Sequence, residues 1–206
     1  MFSTEFSRRG VVGLVAALTM GIGGLAYDNV GAAAPTDVAR LEIAATALKP
    51  AVRLAQTGVI MFPMNPLPKC SLTKTSFGQP RSGGRVHEGI DLMASLGQEI
   101  YAVGNGTLTK KTIAGNPDAT LSGNAWRLQL TDGTATYYFY AHLSAFATGL
   151  NQGDTVSKGQ LIGYVGDTGD PGPGNYHLHF EVHPKGGAAV DPYPLLAIPK
   201  ACTIYP

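Results

Sequence analysis

Charged residues are scarce in this chain, and the two signs almost cancel. Asp, Glu, Lys and Arg make up 14% of the 206 residues, and the formal net charge is +1 at pH 7. Proteins that bind nucleic acid usually carry an excess of basic residues on one face, so this composition gives no indication of a nucleic-acid partner. Any binding site for a polymer must therefore be a local groove, because no overall field attracts one.

Long helical patterns are missing after Gln56, and turn-forming residues are abundant instead. The chain has 27 glycines and 14 prolines, a composition that favours short strands joined by frequent turns. We therefore predict an all-β domain over residues 59–206, built as an antiparallel β-sandwich or a barrel-like sheet.

Two dipeptides within this domain are typical of β-hairpin turns. Asn105-Gly106 predicts a hairpin between residues 99 and 113, and Asp132-Gly133 predicts another between residues 126 and 143. Both dipeptides readily adopt the positive φ angles that two-residue hairpin turns require. Residues 153–166 predict two further short strands.

A long uncharged run lies near the N-terminus, and residues 1–33 have the features of an export signal. Arg8 and Arg9 precede the uncharged residues 10–27, and small residues follow at 31–34. The run is 18 residues long with five glycines, which favours a cleaved signal over an uncleaved membrane anchor. The string "SRRGVV" also resembles a twin-arginine signal. We expect a secreted protein that has no membrane contact after signal removal.

Residues 34–58 are predicted to be a linker with a short helix. Apolar residues recur at helical spacing from Val38 to Val52, and Pro50 ends or kinks the pattern. A spacer between the signal and the β domain is the favoured interpretation, and an inhibitory pro-segment is the alternative.

Cysteine is also rare. Cys70 and Cys202 are the only two, one near each end of the β domain. An even number of cysteines in an exported protein favours a disulfide over two unpaired thiols. The bridge would close a loop of 202 minus 70, or 132, residues, worth roughly 4 to 5 kcal/mol in the chain-entropy model.

The segment His177–Glu181, "HLHFE", combines two histidines with a strand-like alternation. Side chains two apart on a strand point to the same face, so His177 and His179 share one face while Leu178 and Phe180 point into a core. Such a histidine pair is half of a possible metal site.

The segment "HEGID" offers the other half through His87 and Asp91. Gly89 argues against a helix here, and a straight strand would separate the two residues by roughly 13 Å. Ligands of one metal lie about 2 Å from it. The backbone must therefore bend near Gly89 if both residues bind the same ion.

Three segments together resemble a known family. "HEGIDL" at 87–92, "YAHLS" at 140–144 and "HLHFEV" at 177–182 are similar to the signature blocks of the lysostaphin-type zinc endopeptidases, which cut peptide bonds in bacterial peptidoglycan. The blocks occur in the same order, and the resemblance extends from about Met61 to Leu196. It implies a β fold with a groove across one sheet.

The resemblance also implies roles for five residues. His87, Asp91 and His179 are the expected Zn²⁺ ligands, with the fourth position left for water or a substrate carbonyl. His142 and His177 are expected to line the site without binding metal. We assign these two histidines to proton transfer and transition-state stabilisation, because histidine can both donate and accept a proton near neutral pH.

Four neighbouring residues carry weaker expectations. Glu181 shares the His177 face and is expected to hold a ring nitrogen of a ligand histidine. His183 is interpreted as a rim or exposed residue, because a proline follows it. Arg81 and Arg85 either hold a substrate carboxylate or a developing oxyanion, or are solvated loop residues.

The predicted function is that of a secreted, monomeric zinc endopeptidase of the cell wall or periplasm, acting on crosslinks or stem peptides of peptidoglycan. The main alternative is a catalytically silent relative that binds the wall or activates other hydrolases, although such modules lose ligand residues. A purely structural wall-binding domain is a second alternative. A lipoyl- or biotin-carrier domain is suggested by "GDTVSKGQLIG", but it leaves the histidines unexplained. Bound zinc would separate the enzyme from all three.

Overall fold

Residues 60–206 are described by the computed structural model. The predicted export signal and linker lie outside the described residues. Within residues 60–206, no helix is both long and apolar enough to span a bilayer. The helices in this range are 3-10 helices of three residues each, Ser82–Gly84, Pro117–Ala119, Pro184–Gly186 and Tyr193–Leu195.

Ten strands make up most of the described structure. They are β1 Ser71–Thr73, β2 Ile90–Met93, β3 Glu99–Tyr101, β4 Gly106–Thr112, β5 Asn124–Leu130, β6 Tyr137–Phe146, β7 Thr155–Val156, β8 Leu161–Val165, β9 His177–His183 and β10 Thr203–Tyr205. The main sheet has the order β10-β1-β2-β9-β6-β5-β4-β7, and β8 pairs with both β6 and β3. The sheet is not closed, and the predicted all-β fold is confirmed.

Neighbouring strands are antiparallel except for β1 and β10, which pair in parallel. Cys70 and Cys202 precede these two strands and form a disulfide with a Cα–Cα distance of 4.5 Å. The predicted bridge is thus confirmed. It links the C-terminal strand β10, which forms one edge of the sheet, to its neighbour β1.

One of the two predicted hairpins is confirmed and the other is wrong. Strands β5 and β6 pair across the turn that contains Gly133, which has a φ of 80°. Strand β3, however, pairs with β8 and not with β4. Gly106 does not form a hairpin turn there. A Cβ atom at Gly106 would collide with the Gln129 carbonyl oxygen, so this glycine permits close approach to β5.

Strand β9 lies between β2 and β6 and has two different faces. Leu178, Phe180 and Val182 are buried in the hydrophobic core, as the alternation predicts. His179 on the other face is paired in register with Asp91 of β2 and with Ala141 of β6. The centre of the sheet therefore brings segments far apart in sequence to one place.

Candidate metal centre

Three ligand-type atoms converge at one point on this face of the sheet. His87 Nε2, Asp91 Oδ1 and His179 Nδ1 lie 3.0 Å from one another in all three pairs. Atoms about 2 Å from a tetrahedral zinc ion lie roughly 3.3 Å apart, so the spacing suits a shared ion. Among residues 60–206, these three side chains form the His, Cys, Asp and Glu cluster compact enough to hold a metal.

A bend at Gly89 brings His87 and Asp91 together, as the sequence predicts. His87 precedes β2, and Asp91 is the second residue of that strand. A Cβ atom at Gly89 would lie 2.5 Å from the Phe180 carbonyl oxygen and 2.9 Å from His179 Cε1. Only glycine lets the bent segment pass so close to β9.

Hydrogen bonds fix which nitrogen of each histidine faces the cluster. His87 Nδ1 donates to the Ser76 carbonyl oxygen at 2.8 Å, and a carbonyl can only accept. His179 Nε2 donates to Glu181 Oε1 at 2.8 Å, as expected for Glu181. The opposite nitrogens, His87 Nε2 and His179 Nδ1, therefore point at Asp91 and are free to bind a cation.

The electrostatics of the cluster favour a positive charge at its centre. Burial alone would raise the pKa of Asp91, but its contacts with His179 and His87 hold that pKa well below its ordinary value. Burial alone would lower the pKa of His179, yet the carboxylates of Asp91 and Glu181 raise it to about 9. Two nitrogens and one carboxylate oxygen form a donor set that zinc prefers.

His142 and His177 lie beside this cluster, with their ring centroids 4.8 Å apart. His177 Nε2 lies 3.7 Å from Asp91 Oδ1, whereas the nitrogens of His87 and His179 lie 3.0 Å from the same oxygen. Their Nδ1 atoms donate to the carbonyl oxygens of Thr168 at 2.9 Å and Asn175 at 2.8 Å. Each ring is thereby held in the tautomer whose Nε2 can accept a proton.

Both of these rings are neutral at pH 7. Burial is the main cause that lowers the pKa of His142 to about 4, and the unfavourable interaction of a charged His142 with His177 and His179 contributes to the same shift. Burial also lowers the pKa of His177, although Asp91 opposes that shift. Each histidine therefore carries an unprotonated Nε2 in the pH range where a general base is needed.

His142 lies at a special point of strand β6. Residues up to Ala141 pair with β9, whereas residues from Leu143 onward pair with β8. At this switch His142 has a φ of 65°, a value unusual for a residue other than glycine. The unusual backbone angle lies at a residue that faces the groove, where such strain is most often found.

All five predicted site residues line one groove of about 720 Å³. The structure thus brings together every residue that the sequence singles out for the site, while their separate roles stay predictions. Besides these five residues, the walls of the groove carry two arginines, three carboxylates and several apolar or uncharged side chains, among them Arg81, Arg85, Val86, Glu88, Leu121, Ser122, Phe139, Asp170, Pro171, Asn175 and Glu181.

The interpretation of His183 as a rim or exposed residue is wrong. The side chain is buried, with a relative exposure of 7%, and it stacks on Tyr137. Its Nε2 lies 2.7 Å from Glu181 Oε2, and its Nδ1 lies 2.9 Å from the Gly187 carbonyl oxygen. Strand β9 continues through His183, so the period-2 alternation places it on the His179 face.

The two arginines are engaged by acidic side chains of the chain itself. Arg81 Nη2 donates to Asp91 Oδ2 at 2.8 Å, so it contacts one of the predicted metal ligands. Arg85 Nη2 lies 3.4 Å from Asp170 Oδ2. Asp170 belongs to a neighbouring loop and also lines the groove. The Arg81 contact links a loop to a strand ten residues later, and local sequence patterns do not reveal it.

The protein is thus a β protein with an open sheet and a candidate catalytic metal centre. The centre consists of a His-Asp-His donor set beside two neutral histidines. Residues 85–192 match the model of peptidase family M23, and the chain belongs to this family. The match contains all five site residues. The resemblance to the lysostaphin-type endopeptidases is confirmed.

Two relatives have established names. The L-Ala–D-Glu endopeptidase of Bacillus subtilis (strain 168) is 32% identical over 133 residues, which cover 60% of this chain and 39% of that protein. Lysostaphin of Staphylococcus staphylolyticus is 32% identical over 117 residues, or 55% of this chain and 22% of that protein. The matched region thus spans well under half the length of either relative.

Solved structures share the fold. A protein of Ruminococcus gnavus ATCC 29149 assigned as a glycyl-glycine endopeptidase, LytM, has 28% identity and a TM-score of 0.55, covering 68% of this chain and 60% of that chain. A chain in the SpoIIQ–SpoIIIAH pore forming complex has 21% identity and a TM-score of 0.53, and the match covers 70% of this chain and 94% of that chain. Because the fold also occurs in that complex, fold similarity alone does not assign an activity.

Proposed function

We propose that this protein is a secreted, zinc-dependent endopeptidase that hydrolyses peptide bonds in the crosslinks or stem peptides of bacterial peptidoglycan. The observation that carries the proposal is the 3.0 Å triangle of His87 Nε2, Asp91 Oδ1 and His179 Nδ1 beside two neutral histidines in one groove. Membership of family M23 and the endopeptidase named among its relatives support it.

His87, Asp91 and His179 would hold the zinc ion through those three atoms. When bound, zinc polarises the scissile carbonyl and lowers the pKa of its water towards about 7. The protein orients the ligands: Ser76 fixes the ring of His87, and Glu181 fixes the ring of His179. Such supporting contacts keep the donor atoms aimed at one point.

His142 and His177 would carry the protons of the reaction. Peptide hydrolysis requires a base that takes a proton from the attacking water and an acid that gives one to the leaving amine. The Nε2 atoms of both rings are available for this exchange, because their Nδ1 protons are committed to Thr168 and Asn175. The lowered pKa values keep both rings unprotonated at neutral pH.

Digestion of purified peptidoglycan by the full chain tests the proposal. With zinc present we expect soluble peptide fragments whose masses identify the cleaved bond. The fragments should disappear with a chelator and return when zinc is restored. A zinc-loaded protein that binds peptidoglycan without releasing fragments would contradict the proposal and support the silent wall-binding module.

A further inference from the structure

Arg81 contacts the predicted metal centre from outside. We infer that Arg81 is a positioning residue that holds the outward oxygen of Asp91, so that the carboxylate presents one oxygen to the metal. The inference rests on the proposed zinc site. It concerns a residue that neither the signature blocks nor the donor cluster contains.

The two oxygens of Asp91 have different partners. Oδ1 lies 3.0 Å from both His87 Nε2 and His179 Nδ1, whereas Oδ2 accepts a hydrogen bond of 2.8 Å from Arg81. A carboxylate whose outer oxygen is free can rotate or bind an ion with both oxygens. A charge-assisted hydrogen bond to the outer oxygen restrains this rotation. It keeps Oδ1 directed at the two histidines and Oδ2 directed at Arg81.

The backbone around Arg81 is well placed for this task. Pro80 and Val86 form an antiparallel bridge, and the Arg81 N–H donates to the Arg85 carbonyl oxygen at 2.9 Å. The loop closes over Ser82–Gly84, where Gly83 and Gly84 have φ angles of 71° and 73°. These left-handed angles suit glycine. A closed loop fixes the point from which the Arg81 side chain reaches Asp91.

Glu181 shows the same division of its oxygens. Its Oε1 accepts from His179 Nε2 at 2.8 Å, and its Oε2 faces His183 Nε2 at 2.7 Å. Asp91 and Glu181 thus each use one oxygen towards the ligand cluster and one oxygen away from it. The outward contacts hold each carboxylate in a single orientation, which is what a preorganised metal site requires.

Arg85 provides a matched control for a general effect of charge. It lies in the same loop as Arg81, and the two side chains have nearly equal exposure, 41% and 40%. Arg85 pairs with Asp170 and makes no hydrogen bond to Asp91. Removing either arginine removes one positive charge near the groove, but only Arg81→Met frees the outward oxygen of Asp91.

The test is the zinc affinity of the full-length wild-type, Arg81→Met, Arg81→Lys and Arg85→Met chains, measured by competition with a chelator of known affinity. We expect Arg81→Met to lose roughly 10- to 100-fold in affinity, the usual effect of removing such a supporting contact. Arg81→Lys keeps a charged donor and should recover part of the loss. Arg85→Met should match the wild type.

Three results would overturn the inference. Arg81→Met could bind zinc within about twofold of the wild type, Arg85→Met could lose as much affinity as Arg81→Met, or Arg81→Lys could recover nothing. Thermal unfolding in chelator shows whether any variant has lost its fold, and Arg81→Lys is then the deciding variant. A wild-type chain that binds no zinc would instead overturn the proposed function, and this inference with it.

Discussion

At the scale of single residues, the site depends on which ring nitrogen faces the groove. Backbone carbonyls of Ser76, Thr168 and Asn175 each accept from an Nδ1 atom, so three histidines have a fixed tautomer. His179 has the opposite tautomer, because Glu181 accepts from its Nε2. These contacts divide the four rings into two that aim at Asp91 within the triangle and two that lie beside it.

Replacing His142 or His177 should separate metal binding from catalysis. We expect His142→Asn and His177→Ala to retain the fold and zinc but to lose roughly 100- to 10,000-fold of the hydrolysis rate, as is typical when a general acid or base is removed. Asparagine suits position 142 because it tolerates the positive φ there. Zinc content and turnover measured on one preparation check this. Near-normal activity would remove that residue from the mechanism, and lost zinc would make it a ligand.

Gly89→Ala should damage the centre without changing any ligand. The added Cβ would meet the Phe180 carbonyl oxygen at 2.5 Å and His179 Cε1 at 2.9 Å, so β9 and His179 must move. We expect a clear loss of zinc affinity and a lower denaturation midpoint. Gly133→Asn is the control, since that position has a φ of 80° and open space around it. Wild-type zinc affinity in Gly89→Ala would contradict the account of the bend.

At the scale of elements, strand β9 carries more of the site than its signature block suggests. The strand runs to His183, whose ring links Glu181 to the Gly187 carbonyl oxygen. His183→Phe keeps a ring that can stack on Tyr137 but removes both contacts. Leaving buried acceptors unpaired typically costs about 1–3 kcal/mol. Chemical denaturation in the presence of chelator measures this cost as a change in the free energy of unfolding. The Tyr137→Leu variant shows the cost of losing the stacking alone. An unchanged free energy of unfolding in His183→Phe would contradict this role.

Elements that depend on local pattern could be predicted from sequence, and elements that depend on distant pairing could not. The alternation in β9 and the β5–β6 hairpin follow from neighbouring residues. The bend at Gly89 is predicted from the condition that His87 and Asp91 bind the same ion. The pairing of β3 with β8 joins Glu99 to Tyr164, and no nearby residue encodes it. Burial of Ile100 in the core stabilises that pairing, whereas the Asn105-Gly106 signal is purely local.

The candidate site shows the same division. The five site residues could be named because they fall within three short segments that resemble a family. The Arg81–Asp91 contact and the burial of His183 could not, because each depends on how a loop or strand continues beyond its segment. Charged side chains on loops give no periodic signal, so their partners appear only in the folded structure.

At the scale of the whole molecule, the chelator-treated protein should lose stability as the pH falls from about 6.5 to about 4. The pKa of His142 is about 4 in the folded protein, and that of His177 is also lowered. The unfolded chain therefore binds protons in this window that the folded protein does not. His179, with its raised pKa, contributes fully below pH 6.5. The lowered pKa values of Glu181 and Asp91 add to the loss of stability only at the acidic end, once the pH approaches the ordinary carboxyl pKa values of 4.5 and 3.8.

The lowered pKa of His142 alone corresponds to a loss in the free energy of unfolding on the order of 3 kcal/mol between pH 6.5 and pH 4. Denaturant midpoints at several pH values, with chelator present throughout, measure it. His142→Asn should show a shallower dependence on pH. A flat profile in the wild type would contradict the assignment of His142 and His177 as buried, neutral rings.

Zinc stoichiometry in wild type and His179→Ala tests the central claim most directly. We expect about one zinc ion per wild-type chain purified without chelators, because three donor atoms converge at one point. His179→Ala removes one donor and should lower both occupancy and affinity sharply, while the disulfide and the core keep the fold. Zinc retained by His179→Ala at the wild-type level and affinity would show that the triangle of His87, Asp91 and His179 is not the metal centre.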